Sequence, residues 1–545
     1  MTNFRKTAVF GALLLFGAAA CADLDVTNPN EADRGKAIRT PLDVQSLVSG
    51  SFAQWYASAH HATNGPSMLL SAQAFQHSSS AANFGMLSYP ALPRFQTQNT
   101  VTHQDYVNIA GAWNGNYRAL AAIADGLRAI NSDTVVRAGL GADNVRRVRA
   151  FGKFVQGLAH ANIAVLYDRG YRVDETVTTI DEGGQAVLLG EPLTSQALMT
   201  QAIAYMDQAI AQATGQTWTI PESWMSVNVS AANLVRLANS FKAEYRAANA
   251  RTPQQRAAVN WAQVIADINA GITGTFNVNQ SYIYNNWLGG QYNTLYINAP
   301  TFTSMNYMIH GMADQSGHYQ NWLARSIPER HPNQAGTPPT GVDPFIIITP
   351  DLRFPQGATF AAQANNDGTK FFYLGSSLWS QPGRGTWRWS YYAPQEVGND
   401  YPLTASPLIN KPEMDLLKAE AHYRLGQLPE AVAIINTYRT AAGLNATDVA
   451  GLNTSCVPKL PNGTCGNLLE MLKWEKRLET FLMGPYMSGW FFDSRGWGDL
   501  YEGTELEFPI PEQEYVILGL GAPYNFGGPG GQSSAPESNY HWPFE

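Results

Sequence analysis

Residues 411–443 read KPEMDLLKAEAHYRLGQLPEAVAIINTYRTAAG, and their spacing predicts two helices joined by a short turn. Met414, Leu417, Ala421 and Leu425 recur at three- and four-residue intervals, so they share one face of a 3.6-residue helix. Gly426 to Leu428 break the pattern. Pro429 and Glu430 stand where a helix start favours them, and Ala431, Ile434, Ile435 and Tyr438 form a second apolar stripe that stops at Gly443. Small residues at Ala419 and Ala431 sit where two antiparallel helices approach most closely.

The same period recurs upstream. Val148, Phe151, Val155, Leu158 and Ala159 make one stripe; Leu198, Ala202, Tyr205 and Ala209 another; Leu234, Leu237 and Phe241 a third; Trp261, Val264, Ile265, Ile268 and Ile272 a fourth. Trp113, Tyr117, Leu120, Ala124 and Leu127 add a fifth. Thr40 is placed to cap a helix that begins at Pro41 and carries Val44, Leu47, Val48 and Trp55. The spacing Ala419, Tyr423, Gly426, Ala431, Ile435 resembles the helix-turn-helix unit of a tetratricopeptide repeat. Connectors such as 171–195 exceed ordinary helix-to-helix length, so the repeats are degenerate. The expected fold is mainly α: tetratricopeptide-like hairpins forming one scaffold, with long irregular excursions and a few short strands. Strand signals are confined to Phe345–Ile348, to Phe371–Leu374 after an Asn366-Asp367-Gly368 turn, and to the alternation Trp387, Trp389, Tyr391 near Trp379 and Tyr392.

Composition narrows the function. Only 14% of the 545 residues are charged, against roughly 25% in ordinary globular proteins, while 11% are aromatic. The net charge of −8 gives no basic field for a phosphate backbone, which argues against a nucleic-acid partner. The deficit is uneven. Residues 51–110 hold two charged residues, Arg94 and Asp105, against eight aromatics; residues 281–350 hold five against ten; yet 411–440 holds eight charges. The two depleted stretches read as loops on a rigid scaffold, where recognition concentrates.

At the amino terminus Arg5 and Lys6 precede an uncharged run, Ala8 to Ala20, too short to span a bilayer as a helix. A secretory signal is the better reading. The run ends at Ala18-Ala19-Ala20-Cys21 and resembles a bacterial lipoprotein signal, in which cleavage leaves Cys21 as the lipid-bearing first residue. The predicted organisation is a signal peptide over 1–20, an acidic leash over 21–40, and one body over 41–545 with excursions at about 57–110 and 275–410. Cys456 and Cys465 are the remaining cysteines, and two prolines and an Asn-Gly pair between them make a turn that brings the sulfurs together. The other reading, two free thiols, is poor chemistry in an oxidising compartment.

Four ordered stretches resemble the SusD/RagB family of surface nutrient-uptake lipoproteins. They are the Cys21 leader with DLDVTNPN and the helix from Pro41; the 413–444 hairpin; Leu468 to Trp497, with Trp474, Glu475, Lys476, Arg477, Glu479, Trp490, Phe491, Phe492, Asp493, Arg495, Gly496 and Trp497; and Phe508-Pro509-Ile510-Pro511 with Glu514. Gly489 departs from the family's usual arginine, so one buried charge contact is expected to be absent or rearranged. The resemblance implies a non-catalytic lid on a SusC-like TonB-dependent outer-membrane transporter, anchored by lipid at the cell surface and holding a glycan or other oligomer before import. It implies no cofactor.

The sequence lacks the common signatures of catalysis: H-E-x-x-H, C-x-x-C, G-x-S-x-G, a phosphate loop and a dinucleotide fingerprint. Adjacent His60 and His61 need not converge, and Asn365–Gly368 lacks the later acids of a calcium loop, so no metal site is expected. Glu470, Glu475 and Glu479 interleave with Lys473, Lys476 and Arg477, which reads as a salt-bridged exposed helix face. For stacking on a sugar the candidates are Trp287, Tyr292, Tyr296, Tyr319 and Trp322, with Asn286, Gln291, Asn293 and Gln320 as hydrogen-bonding neighbours; Phe84, Tyr89 and Arg94 are expected at the same cleft. Alternative readings are a surface-anchored glycoside hydrolase, requiring two convergent carboxylates, and a protein-binding scaffold using a concave helix face.

Overall fold

Thr40 opens the first helix as its spacing requires. Its hydroxyl accepts from Asp43 N at 3.2 Å while Asp43 Oδ2 accepts from Thr40 N at 2.9 Å, a reciprocal cap that contributes about 1 kcal/mol. The computed structural model describes residues 40–60, 65–78, 89–94, 97–177, 189–288, 304–326, 330, 345–373, 392–394, 405–483, 489–525 and 534–543. Helix α1 spans Pro41–Ser49, α2 Ser51–His60, α3 Tyr106–Ser132, α4 Ala142–Leu166, α5 Ser195–Ala213, α6 Ala231–Ala248 and α7 Trp261–Asn269. The predicted hairpin is α8, Lys411–Arg424, and α9, Leu428–Ala441, followed by α10, Leu468–Glu479, and α11, Trp490–Trp497.

The helices pack largely in sequence order, α4 on α5, α5 on α6, α6 on α7, α7 on α8, and α8 on both α9 and α10. This mainly helical architecture of successive hairpins with few short strands is the one expected. The predicted stripes face inward: Val148, Phe151, Val155, Leu158 and Ala159 are inaccessible, as are Leu198, Ala202, Ala209, Leu234, Leu237 and Phe241. In the hairpin, Met414, Leu417, Ala421, Ala431 and Ile435 are buried, but Leu425 is exposed because α8 ends at Arg424 and the chain turns away through Gly426, whose φ of +73° suits glycine.

Helix α4 lies deeper than a one-sided stripe predicts. Every residue from Ala150 to Leu166 is buried, since α2, α3, α5 and α6 surround it. Its polar side chains are matched by partners: His160 Nε2 accepts from Val173 N at 3.1 Å, and Asn162 Oδ1 accepts from the Tyr245 hydroxyl at 2.6 Å. A buried polar group without such a partner costs about 1–3 kcal/mol.

Apolar residues form one large cluster in the helical frame and a second around Tyr307, Tyr319, Trp322, Phe345, Phe354, Phe371, Trp474 and Trp490. Phe371–Tyr373 is a strand, paired antiparallel with Tyr392–Pro394 rather than with a neighbour across the Asn366-Asp367-Gly368 turn. Phe345–Ile348 is extended but forms no ladder, because side chains take its backbone groups: Ile347 N donates to the Tyr392 hydroxyl and Ile348 N to Asp314 Oδ1, both at 3.0 Å. Phe84, Trp379, Trp387, Trp389 and Tyr391 lie outside the described residues. No described helix is long and apolar enough to cross a membrane, and the leader with Cys21 is outside the described region.

Candidate functional site

Helix α10 is where the sequence reading needs its clearest correction. Its charges do not form an exposed face: Lys473, Glu475, Lys476 and Arg477 are all buried. Four consecutive charged or aromatic positions, 474 to 477, sweep a full helical turn, so with Leu472 and Leu478 also buried the helix is enclosed on every side. Burial of charge then demands partners. Lys473 Nζ reaches Asp499 Oδ1 at 2.9 Å, Lys476 Nζ reaches Asp493 Oδ2 at 2.6 Å and Arg477 Nη2 reaches Asp499 Oδ2 at 2.6 Å. Glu475 meets Arg353 at 2.8 Å and Arg439 at 3.2 Å.

These pairs tie the frame to the excursions. Arg256, beyond α6, grips Glu420 of α8 and Asp493 of α11, and Trp497 Nε1 donates to Glu420 Oε1 at 3.0 Å. Asp493 has two basic partners, Arg256 and Lys476, although position 489 is glycine. Burial alone would raise the Glu420 carboxyl, but the Arg256 guanidinium outweighs it and brings the pKa down to about 2. Glu475 goes the other way: burial pushes it up to about 7 despite Arg353. Of this network, Arg353 with its partner Asp351, 2.7 Å away, Arg256 and Asp499 were missed from sequence. The one readable signal was the crowding of charges around a whole turn of α10.

The structure separates the stacking candidates. Trp287 packs edge-on to Phe52 and Tyr56, with ring centroids 6.0 and 6.4 Å away, and is half-buried against the frame; Asn286 beside it is exposed. Tyr319 and Trp322 belong to the second core. Tyr319 is 0% and Trp322 1% accessible, the Tyr319 hydroxyl donates to Met308 O at 2.5 Å, and neither ring leaves a face for a ligand. Gln320 Nε2 donates to Leu460 O at 3.2 Å. Gln291, Tyr292, Asn293 and Tyr296 lie outside the described residues.

Tyr89 and Arg94 are also structural. Tyr89 is buried and its oxygen accepts from Asn108 Nδ2 at 2.5 Å. Arg94 donates to the carbonyls of Tyr89 and Gln73 at 2.7 and 2.6 Å and to Thr504 Oγ1 at 2.9 Å, with Phe75 against its guanidinium. Neutrality of the first depleted stretch has a corresponding cause: residues 65–78 are buried throughout, so charge is missing there because water is missing.

His60 stacks on Tyr56 at 4.0 Å and burial lowers its pKa to about 3, which keeps the ring neutral. Among the described residues no three His, Cys, Asp or Glu side chains converge as metal ligands. Cys456 and Cys465 are disulfide-bonded, closing the predicted turn.

No family model and no curated protein matches the sequence. Solved structures do match. A SusD superfamily protein from Parabacteroides distasonis aligns over 88% of this chain and 97% of its own, with a TM-score of 0.51 at 13% identity. SusD superfamily proteins from Bacteroides vulgatus and Bacteroides fragilis each cover 88% of this chain and 91% and 98% of their own, at TM-scores of 0.49 and 13% identity. The fold is the SusD fold, established by the first of these superpositions.

Proposed function

We propose that this chain is a non-catalytic, lipid-anchored surface protein that holds a nutrient oligomer, a glycan first, and delivers it to a TonB-dependent outer-membrane transporter whose mouth it covers. The observation that carries the reading is the SusD fold over nearly the whole chain. The Cys456–Cys465 disulfide fits an exported protein, since such bonds persist in oxidising compartments. Import is powered by the transporter, so a lid needs affinity and geometry but no reactive group.

Within this reading the ligand face involves exposed Asn286, half-buried Trp287 and the neighbouring Gln291, Tyr292, Asn293 and Tyr296. Flat sugar faces bury C–H groups on aromatic rings while amides meet the hydroxyls. Three experiments test the proposal. Cys21→Ala is expected to release the protein from membranes, and retained anchoring overturns the lipoprotein assignment. Purification in mild detergent is expected to bring down an outer-membrane barrel, and a glycan array to show binding without turnover. Hydrolysis of any bound glycan would favour the glycosidase alternative.

A further inference from the structure

A cavity of about 180 Å³ opens between the disulfide loop and the carboxyl-terminal segment. Leu460, Pro461 and Asn462 form one wall; Asn539, Tyr540, His541 and Pro543 form the other. Both walls are held before anything binds. The Cys456–Cys465 bond closes the first, and Leu460 N donates to Thr464 O at 2.8 Å. In the second, the Tyr540 hydroxyl accepts from Arg477 Nη1 at 2.9 Å and donates to Glu470 Oε2 at 2.8 Å, which fastens it to the buried ion pairs of α10. A site with pre-set walls spends little binding energy on ordering them.

The two asparagines leave opposite hydrogen-bonding groups unused. Asn462 Oδ1 accepts from Thr464 N at 3.0 Å and from its hydroxyl at 2.7 Å, so this oxygen is occupied and Nδ2 remains a donor with no described partner. Asn539 Nδ2 donates to Trp497 O at 2.6 Å and to Asp499 Oδ1 at 3.2 Å, so its amide hydrogens are occupied and Oδ1 remains an acceptor. A backbone N–H can only donate and a carbonyl can only accept, which fixes both amide orientations. His541 adds a polar ring to the same wall; its φ is +43°, its side chain is exposed and Nδ1 lies 2.8 Å from Glu537 Oε1.

A sugar hydroxyl both donates and accepts, and the C–H faces of a pyranose suit the prolines and Leu460. An enclosed apolar cavity of about 150 Å³ admits one benzene ring, so this volume suits one six-membered ring. We infer that the cavity between Asn462 and Asn539 is a separate carbohydrate subsite that takes a single sugar ring, such as a chain end or a side branch. This rests on the glycan reading above and adds a second point of contact to it. Two weak contacts on one rigid body raise overall affinity for a branched or long glycan without either being tight.

The test uses the mature chain with methyl glycosides of glucose, galactose, mannose, xylose and N-acetylglucosamine, read by saturation-transfer NMR. At least one is expected to receive transfer, reduced fivefold or more by Asn462→Asp, which keeps the oxygen that holds the turn but replaces the donor by an acceptor. Asn539→Ala is expected to act in the same direction; because Asn539 also holds Trp497 O, its melting curve is compared with that of the parent. Transfer unchanged in a folded Asn462→Asp protein overturns the subsite. Absence of transfer from all five glycosides also overturns it, and the glycan array then decides separately whether the broader glycan reading stands.

Discussion

Arg256 Nη2 lies 2.6 Å from Glu420 Oε2, and both side chains are fully removed from solvent. Asp493 and Trp497 complete the set, so Glu420 is the point at which α8, α11 and the chain beyond α6 meet. Removing one partner leaves a buried charge without compensation. Glu420→Ala is expected to lower unfolding free energy by about 3–5 kcal/mol. Urea denaturation measures this, and a loss under about 1 kcal/mol would show that the pair is not needed for the frame. Replacing Arg256 and Glu420 together by methionine and leucine should cost less than Glu420→Ala alone, because no charge is stranded.

Stability should peak on the acid side of neutrality. Burial raises the Glu244 carboxyl to about 7, with Lys476 opposing the shift and Asp493 adding to it, so the folded state holds a proton that the unfolded chain releases near 4.5. The stability this proton confers is full below the unfolded value and is lost as pH rises through about 7. Burial lowers His310 from 6.5 to about 3, so its contribution is full above 6.5 and is lost as pH falls toward 3. The two effects oppose each other between about pH 4.5 and 6.5, so melting temperature is expected to be highest across that range and to fall on both sides of it. Glu244→Gln should remove a fall in stability of up to about 1.4 kcal/mol per pH unit between about pH 4.5 and 7, so that stability rises toward pH 6.5 instead of levelling off. An unchanged pH profile between about 4.5 and 7 would rule out Glu244 as the source.

Gly311 faces the Tyr319 ring so closely that an added Cβ would lie 2.2 Å from the ring carbon Cδ2. Tyr319 is enclosed by Trp322 and Phe345, so its ring has nowhere to retreat. Gly311→Ala is expected to destabilise by about 1–3 kcal/mol through overpacking. A melting temperature equal to the parent's would contradict this close approach.

The disulfide closes a loop with a sequence separation of nine. On chain-entropy grounds Cys456→Ser with Cys465→Ser should cost about 2–3 kcal/mol. The same double variant is expected to weaken binding at the Asn462 cavity, since Asn462 sits inside the loop. Thermal melts and the sugar transfer experiment read the two effects separately.

The helical frame was legible because it is written locally. A stripe at 3.6-residue spacing, a Thr-Pro start and a Gly stop are properties of one segment, and the α8–α9 hairpin and the start of α1 fall where those signals put them, although the helix expected to carry Trp55 ends at Ser49 and Trp55 stands on α2. The pairing of Cys456 with Cys465 was readable for the same reason, since the turn between them needs no distant partner.

Side-chain environment was not local, and there the reading went astray. The charges of α10 look identical in sequence whether they face water or Arg353, Asp493 and Asp499; only the helices and excursions closing around them decide that they are buried. Tyr319 and Trp322 carry the same rings in a core as in a binding face, and contacts with Tyr307 and Phe345 decide the core. Asn462 and Asn539 are 77 positions apart and carry no shared motif, so their convergence on one cavity exists only in the folded chain. Sequence by itself determined which segments are helical and where they start and stop, because backbone propensity and apolar period act over a few residues. Tertiary structure alone decided which charges, rings and amides meet water, because burial depends on what the rest of the chain brings alongside.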